Sequence, residues 1–317
     1  MQTEPKTYLV TGGAGFIGSH MVDALVAAGH QVRVVDNFST GKRENLAQAA
    51  DRIDLRAISI TDREALAEAM QGVDYVFHFA ALASVPRSVA DPLANNEHNV
   101  TGTLNLLLAA RDAGVQRVVY AGSSSAYGNS AAEYKTEDIQ PVPLSPYAVA
   151  KLASEHYCQA FTSVYGLETV TVRYFNVFGP RQDPLSTYAA VIPKFVVAML
   201  DDQPPTIEGD GLQSRDFTYI DNVIHGTLLA CHTPGVAGET FNIACGGNIN
   251  LLDMIQGLNQ LMGKDIQPRF VDPRPGDVRH SRASIEKARR MLNFEPVVSF
   301  EDGLARTLNW YESVLSV

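Results

Sequence analysis

The apolar run Tyr8-Leu9-Val10 passes straight into Thr11-Gly12-Gly13-Ala14-Gly15-Phe16-Ile17-Gly18, with glycines spaced GxxGxxG. The short run Thr7–Thr11 predicts a strand buried on both faces. The segment Ile17–Ala28 reads as a helix, and Gly29 is a natural stop for it. Gly12 allows the tight turn, Gly15 lets a backbone approach a pyrophosphate, and Gly18 permits close packing of helix on strand. The helix N-terminus then faces an anion. The order of strand, loop and helix is what gives a glycine motif its weight.

The rest of the first half keeps this rhythm. Gln31–Val35, Asp54–Ile58, Tyr75–Phe79, Arg117–Ala121 and Thr169–Arg173 read as further strands. Asp62–Met70, capped by Thr61, then Pro92–Ala113 and Pro146–Tyr165 read as helices between them. Strand–helix alternation implies right-handed crossovers and a parallel sheet with helices on both faces. After about Gly179 the rhythm changes, and proline and glycine are denser over 204–211 and 268–276. The expected fold is therefore α/β, a Rossmann-like doubly wound parallel sheet with a smaller C-terminal α/β substrate lobe. Residues 1–179 form the dinucleotide domain, with 216–245 returning to it, and 180–317 form most of the lobe. The helices Val223–Ala230 and Phe300–Leu315 return toward the main sheet.

Composition narrows the class. The chain has 317 residues, 45% apolar and 19% charged, which excludes a disordered or fibrous chain. Its three cysteines, Cys158, Cys231 and Cys245, make no CxxC pair. That excludes a disulfide framework and a cysteine zinc site, and suits a reducing cytosol. No HExxH is present and no metal site is expected. With 25 basic against 35 acidic residues the net charge is −10, which argues against nucleic acid. Residues 264–290 nevertheless hold eight cations where an even spread gives about two, some placed to face an anion. No secretion signal or spanning stretch is visible, so a soluble, cytoplasmic protein is expected.

Asp36 ends the second predicted strand, where an acid hydrogen-bonds an adenosine ribose. A carboxylate there repels a 2′-phosphate and favours NAD over NADP. Lys42 and Arg43 argue the other way, unless they simply begin an exposed helix. Tyr147 and Lys151 form YxxxK behind Ser145-Pro146, a cap and a first helical residue. Spacing of four sets both on one face. A phenol is a poor base at neutral pH, and a neighbouring ammonium stabilises its phenolate, giving an acid/base for a hydroxyl proton. Ser123-Ser124-Ser125 close a predicted strand nearby. His78 reads as a packing or backbone-bonding histidine, and Trp310 as core or interface.

These motifs, with Asp36–Gly41, His78-Phe79-Ala80-Ala81, 173–180 (RYFNVFGP), Arg215-Asp216-Phe217 and Arg274-Pro275-Gly276-Asp277, resemble the extended short-chain dehydrogenases/reductases. Within them the chain resembles the nucleotide-sugar 4-epimerases, closest to UDP-N-acetylglucosamine 4-epimerases. The resemblance implies catalytic Ser123, Tyr147 and Lys151, with Ser123 24 residues before Tyr147. It implies an NAD site of Gly12, Gly15, Phe16, Ile17, Gly18, Asp36, Asn37, Ser39, Thr40, Gly41, Ser59, Ile60, Phe79, Ala80, Ala81 and Asn99. Tyr147, Lys151, Tyr174, Asn176 and Val177 complete it. Ser59 stands where the family usually has an acidic residue.

The resemblance also implies a UDP-sugar site of Ser84, Arg87, Ser123, Ser124, Tyr147, Asn176, Ala190, Val191, Arg215, Arg274, Asp277 and Ser281. By the same resemblance Arg215, Arg274 and Asn176 grip the diphosphate, the arginines because their fork binds phosphate oxygens in pairs. Asp277 takes the nucleoside ribose. The family's dehydratases carry an Asp-Glu pair after the catalytic hydroxyl residue and its decarboxylases a Glu; Ser124-Ser125 stand here instead, which favours epimerisation. Ser281 occupies the position bordering the sugar C2 substituent and leaves room for an acetamido group. UDP-glucose and UDP-N-acetylhexosaminuronate remain alternative substrates, and a non-catalytic NAD sensor is the rival class. A homodimer through the Pro92–Ala113 and Pro146–Tyr165 helices is implied, with Leu104, Leu107 and Leu108 on that interface or in the core.

Overall fold

A computed structural model of the chain describes residues 4–184, 190–273 and 279–315. Seven short strands, β1 (Thr7–Thr11), β2 (Gln31–Val35), β3 (Ile53–Arg56), β4 (Tyr75–His78), β5 (Arg117–Ser123), β6 (Glu168–Tyr174) and β7 (Thr240–Ile243), form one sheet. All its pairings are parallel and its order is β3-β2-β1-β4-β5-β6-β7. The order reverses between β1 and β4, so a crevice opens at their carboxyl ends.

The alternation of side chains explains why these runs are apolar throughout. Tyr8 and Val10 of β1 enter one hydrophobic cluster and Leu9 enters the other; Phe77 and Val76 of β4 divide the same way. Helices α1 (Phe16–Ala27), α2 (Arg63–Ala69), α3 (Val85–Ala90), α4 (Pro92–Asn96), α5 (Gly102–Asp112) and α6 (Pro146–Tyr165) fill the connections as far as β6. Five residues in π-helical conformation, Glu97–Thr101, join α4 to α5, so the expected single helix over 92–113 is continuous but underwound at one place. Leu107 is fully buried and Leu104 and Leu108 pack on the same core.

Helix α6 begins and ends on its predicted signals: the Ser145 side chain accepts from Ala148 N, Pro146 is the first residue, and Gly166 turns left-handed at φ 72°. Helix α2 differs by one residue. Asp62 caps it, accepting from Ala65 N at 3.1 Å, because the Thr61 hydroxyl is already paired with Ser59 at 2.8 Å.

The second half adds α7 (Val191–Leu200), α8 (Ile220–His232), α9 (Leu251–Met262), α10 (Glu286–Leu292) and α11 (Phe300–Leu315). Helix α8 packs against β5 and β6, and β7 extends the large sheet beyond β6. Arg117 on β5 fastens this return: its Nη1 donates to the carbonyls of Ala230, Cys231 and Thr233, favourable charge at a helix C-terminus. Ile249–Asn250, Ser214–Arg215, His280–Ala283 and Tyr134–Lys135 form a second, mixed four-stranded sheet.

Candidate active site

The site begins with the loop between β1 and α1. Gly12 has φ 66°, and a Cβ there would stand 2.7 Å from Ala80 N; one on Gly18 would stand 2.1 Å from Gly12 O. These glycines let the loop, the β4 end and the helix close on each other. A Cβ on Gly15 would meet only Gly12 O, at 3.1 Å, and would point into the cleft. Gly15 caps α1 with no side-chain acceptor, so the first N–H groups of that helix are left for an anion. The donor set therefore fits a dinucleotide pyrophosphate.

A cleft runs from this loop along the sheet. Gly12, Gly15, Phe16, Ile17, Gly18, Asp36, Asn37, Ser39, Thr40, Ser59, Ile60, Phe79, Ala80, Ala81, Tyr147, Lys151 and Tyr174 line it. Asp36 Oδ2 accepts from Ala14 N at 2.9 Å and Oδ1 from Phe38 N at 2.8 Å, which fixes the carboxylate at the end of β2. The two cations that argued for a 2′-phosphate are engaged elsewhere. The Arg43 guanidinium stacks on Phe38 at 4.1 Å, and Lys42 pairs with Asp183 at 3.4 Å. Gly41 lies behind Asp36, and the Asn99 amide is consumed by Leu82 N and O and by Asn95 Oδ1, so neither lines the cleft.

At the sheet's far end the catalytic candidates meet. Tyr147 and Lys151 sit one turn apart on α6, and Ser123 ends β5. Burial raises the Tyr147 phenol above its ordinary value, and hydrogen bonding to the Ser123 side chain opposes the rise. Ser123 Oγ also accepts from Ser125 Oγ at 2.8 Å. Lys151 is buried and donates to Ala121 O at 2.9 Å, and burial lowers its ammonium to about 8. The Tyr147 main chain is pinned too, its N–H donating to Ser88 Oγ at 3.1 Å. His78 bonds side chains: Nδ1 lies 2.7 Å from Thr11 Oγ1 and Nε2 3.0 Å from Thr103 Oγ1. Burial holds it near 3, hence neutral.

A second cavity, of about 600 Å³, opens beyond β6 and is lined by Asn176, Val177, Ala190, Val191 and Arg215. Asn176 and Val177 thus line this cavity. Arg215 stands directly opposite Ser281 on paired parallel strands. Ser84 caps α3 by accepting from Arg87 N at 3.2 Å, and Arg87 is exposed on that helix. Arg274 and Asp277 lie outside the described residues.

The NAD dependent epimerase/dehydratase family matches residues 8–244. The chain belongs to this family. Among its members, a UDP-glucose 4-epimerase of Mycolicibacterium smegmatis is 38% identical over 311 residues, covering 96% of this chain and 98% of that one. Two solved structures extend the likeness. A UDP-N-acetylglucosamine 4-epimerase from Methanobrevibacter ruminantium, in complex with UDP-N-acetylmuramic acid, is 39% identical at TM-score 0.94, covering 98% of this chain and 100% of that one. A UDP-glucuronic acid 4-epimerase from Bacillus cereus, in complex with UDP-glucuronic acid and NAD, is 34% identical at TM-score 0.89, covering 97% and 99%. The chain is thus an NAD-dependent nucleotide-sugar 4-epimerase by family, and NAD is its cofactor.

The cleft and the cavity also have wall residues to which the sequence assigned no role, Phe217 of the Arg215-Asp216-Phe217 motif among them. Leu82, Ala83, His98, Ala121 and Gly122 line the dinucleotide cleft, and Lys194, Glu208, Gln213 and Phe217 the second cavity. Ala121 and Gly122 precede Ser123 on β5, so position on a strand end was their one available signal. The others come from loop and helix turns without a fixed spacing. No helix among the described residues is long and apolar enough to cross a membrane.

Proposed function

We propose that the chain interconverts UDP-N-acetylglucosamine and UDP-N-acetylgalactosamine by transient oxidation at sugar carbon 4. The observation that carries this reading is the meeting of Ser123, Tyr147 and Lys151 at one end of the cleft, with Ser124 and Ser125 in place of an acid for elimination. Residues 1–179 with 216–245 hold the dinucleotide, and most of 180–317 holds the nucleotide sugar. Among the residues outside the described set, Arg274 joins Arg215 on the diphosphate and Asp277 takes the nucleoside ribose.

NAD, when bound, supplies the acceptor for the C4 hydride and its later source. Tyr147 would take the 4-hydroxyl proton during the oxidation and would return it during the reduction. Net redox is zero. Ser123 hydrogen-bonds the same hydroxyl and the phenol. The Lys151 ammonium, one turn along α6, would favour the phenolate against the rise that burial imposes on Tyr147. Ser281, beside Arg215, leaves space for an acetamido group, and the N-acetylglucosamine name of the M. ruminantium relative supports the same choice.

Incubating the purified protein, without added NAD, with UDP-N-acetylglucosamine, UDP-glucose and UDP-glucuronic acid and reading products by proton NMR tests this. Fastest turnover is expected on the acetamido sugar, and Ser281→Tyr is expected to remove that activity selectively. A protein that epimerises none of the three would refute the reading. Faster turnover of UDP-glucose would transfer it to the hydroxyl sugar.

A further inference from the structure

Asp216 takes no part in the chemistry above, yet its carboxylate is buried with no exposed surface. Its oxygens accept from main-chain N–H groups: Oδ1 from Cys245 at 3.0 Å and Oδ2 from Ala283 at 3.2 Å, with Gly246 and Gly247 as further donors. Its own main chain is engaged as well. Asp216 N donates to Ser281 O at 3.0 Å, and Asp216 O accepts from Asn176 Nδ2 at 3.0 Å. One residue thus touches the end of β7, the strand His280–Ala283, and the segment after β6, and it is the sequence neighbour of Arg215.

We propose that Asp216 is a positioning residue for the nucleotide-sugar cleft: its carboxylate ties residues 245–247 to the strand His280–Ala283, its main chain holds Asn176 and Ser281, and together these bonds keep Arg215, Asn176 and Ser281 in register around one ligand. The proposal rests on the reading of the second cavity as the nucleotide-sugar site. A buried carboxylate is an expensive pin for a purely structural joint. Burial outweighs the N–H donors and lifts its carboxyl to about 6, well above the ordinary range. Ionised Asp216 therefore costs folding stability at neutral pH, so its hydrogen bonds to three segments do more than stabilise the fold.

An amide shows the same point. Asn at this position keeps one acceptor oxygen but sets an NH2 against either Ala283 N–H or the N–H cluster of 245–247. Protonation does the same, because one oxygen becomes a donor. As pH falls through about 6 the pin loosens. The titratable and charged groups around it are Cys245, pushed up to about 12 chiefly by burial, His280 and Arg282 on the adjoining strand, and Arg215 on its own. UDP itself serves as the probe, with wild type at about pH 7.5 and about pH 6.5 setting the baseline.

Calorimetric titration of UDP into wild type, Asp216→Asn and His280→Asn tests the proposal, alongside melting temperature and the NAD content of each purified protein. At neutral pH the Asp216→Asn protein is expected to bind UDP roughly tenfold more weakly, with NAD content and melting temperature held or raised. Wild-type affinity, corrected for the phosphate titration of UDP by the same profile on Asp216→Asn, is expected to fall below about pH 6.5, and His280→Asn to keep that fall. Equal UDP affinity in wild type and Asp216→Asn would overturn the proposal, as would parallel loss of UDP affinity, NAD and melting temperature. Should Asp216→Asn not fold, the profile of the UDP-glucose complex, whose diphosphate does not titrate in this range, decides: a flat one overturns it. Wild type that binds neither UDP nor UDP-glucose would overturn the cleft assignment itself.

Discussion

Lys151 carries the sharpest conflict between burial and charge. It is 5% exposed, its ammonium sits 5.0 Å from the Tyr120 ring, and burial draws it down to about 8. The lowered value means the charged form costs stability below pH 8, and the cost fades as pH rises toward the unfolded value of about 10.5. Its bond to Ala121 O recovers part of that cost. Lys151→Met is expected to make the protein more stable by roughly 1–3 kcal/mol in urea unfolding at neutral pH. The gain should shrink by about pH 10, and turnover should vanish. Tyr147→Phe should lower turnover by at least about a hundredfold while circular dichroism stays native; near-normal turnover would reject the phenol as the acid/base. Asp36, Tyr147, Lys151 and Ser123 were legible because their chemistry is tied to fixed spacings and strand ends. The contacts of Asp216, which the sequence offers only as part of a motif, and the wall residues Lys194 and Gln213 were not, since what they touch is decided by segments far apart in sequence.

At the scale of elements, the glycine loop is the tightest joint. A methyl on Gly18 would press on the Gly12 carbonyl and on Gly13 Cα at 2.8 Å, backbone atoms with nowhere to go. Gly18→Ala should lower the melting temperature by roughly 5 °C or more, with NAD lost during purification; full NAD content at wild-type stability would show that the loop can yield. The strands β1 and β2 match the sequence limits because Gly12 and Asp36 end them chemically. The strand β3 stops at Arg56, two residues before its expected end, because Ile58 and Ser59 turn away to line the cleft. The π-helical turn at Glu97–Thr101 left no periodic trace, because one extra residue in a turn only rotates the apolar stripe. Strand β7 and the lobe's two-residue strands are too short for any alternation to show.

For the molecule as a whole, the faces of α3, α4 and α6 carry Val89, Leu93, Val149 and Val164 between 52% and 82% exposed. Single exposed apolar side chains are ordinary; several on adjoining helices mark an interaction face. We propose that a homodimer through the Pro92–Ala113 and Pro146–Tyr165 helices would cover this face. Leu93→Asp should convert a dimer to monomer in light scattering with little change in melting temperature, whereas an unchanged mass would place the contact elsewhere.

The seventh strand has a consequence for biosynthesis. Residues 240–243 lie beyond β6 at the sheet's edge, yet they are made some 65 residues after it. A nascent chain that has emerged only through residue 200 exposes the open edge of β6, a template for pairing with another chain. The ribosome must deliver α8 and β7 before that edge is shielded, so maturation of the first domain waits on translation of the second.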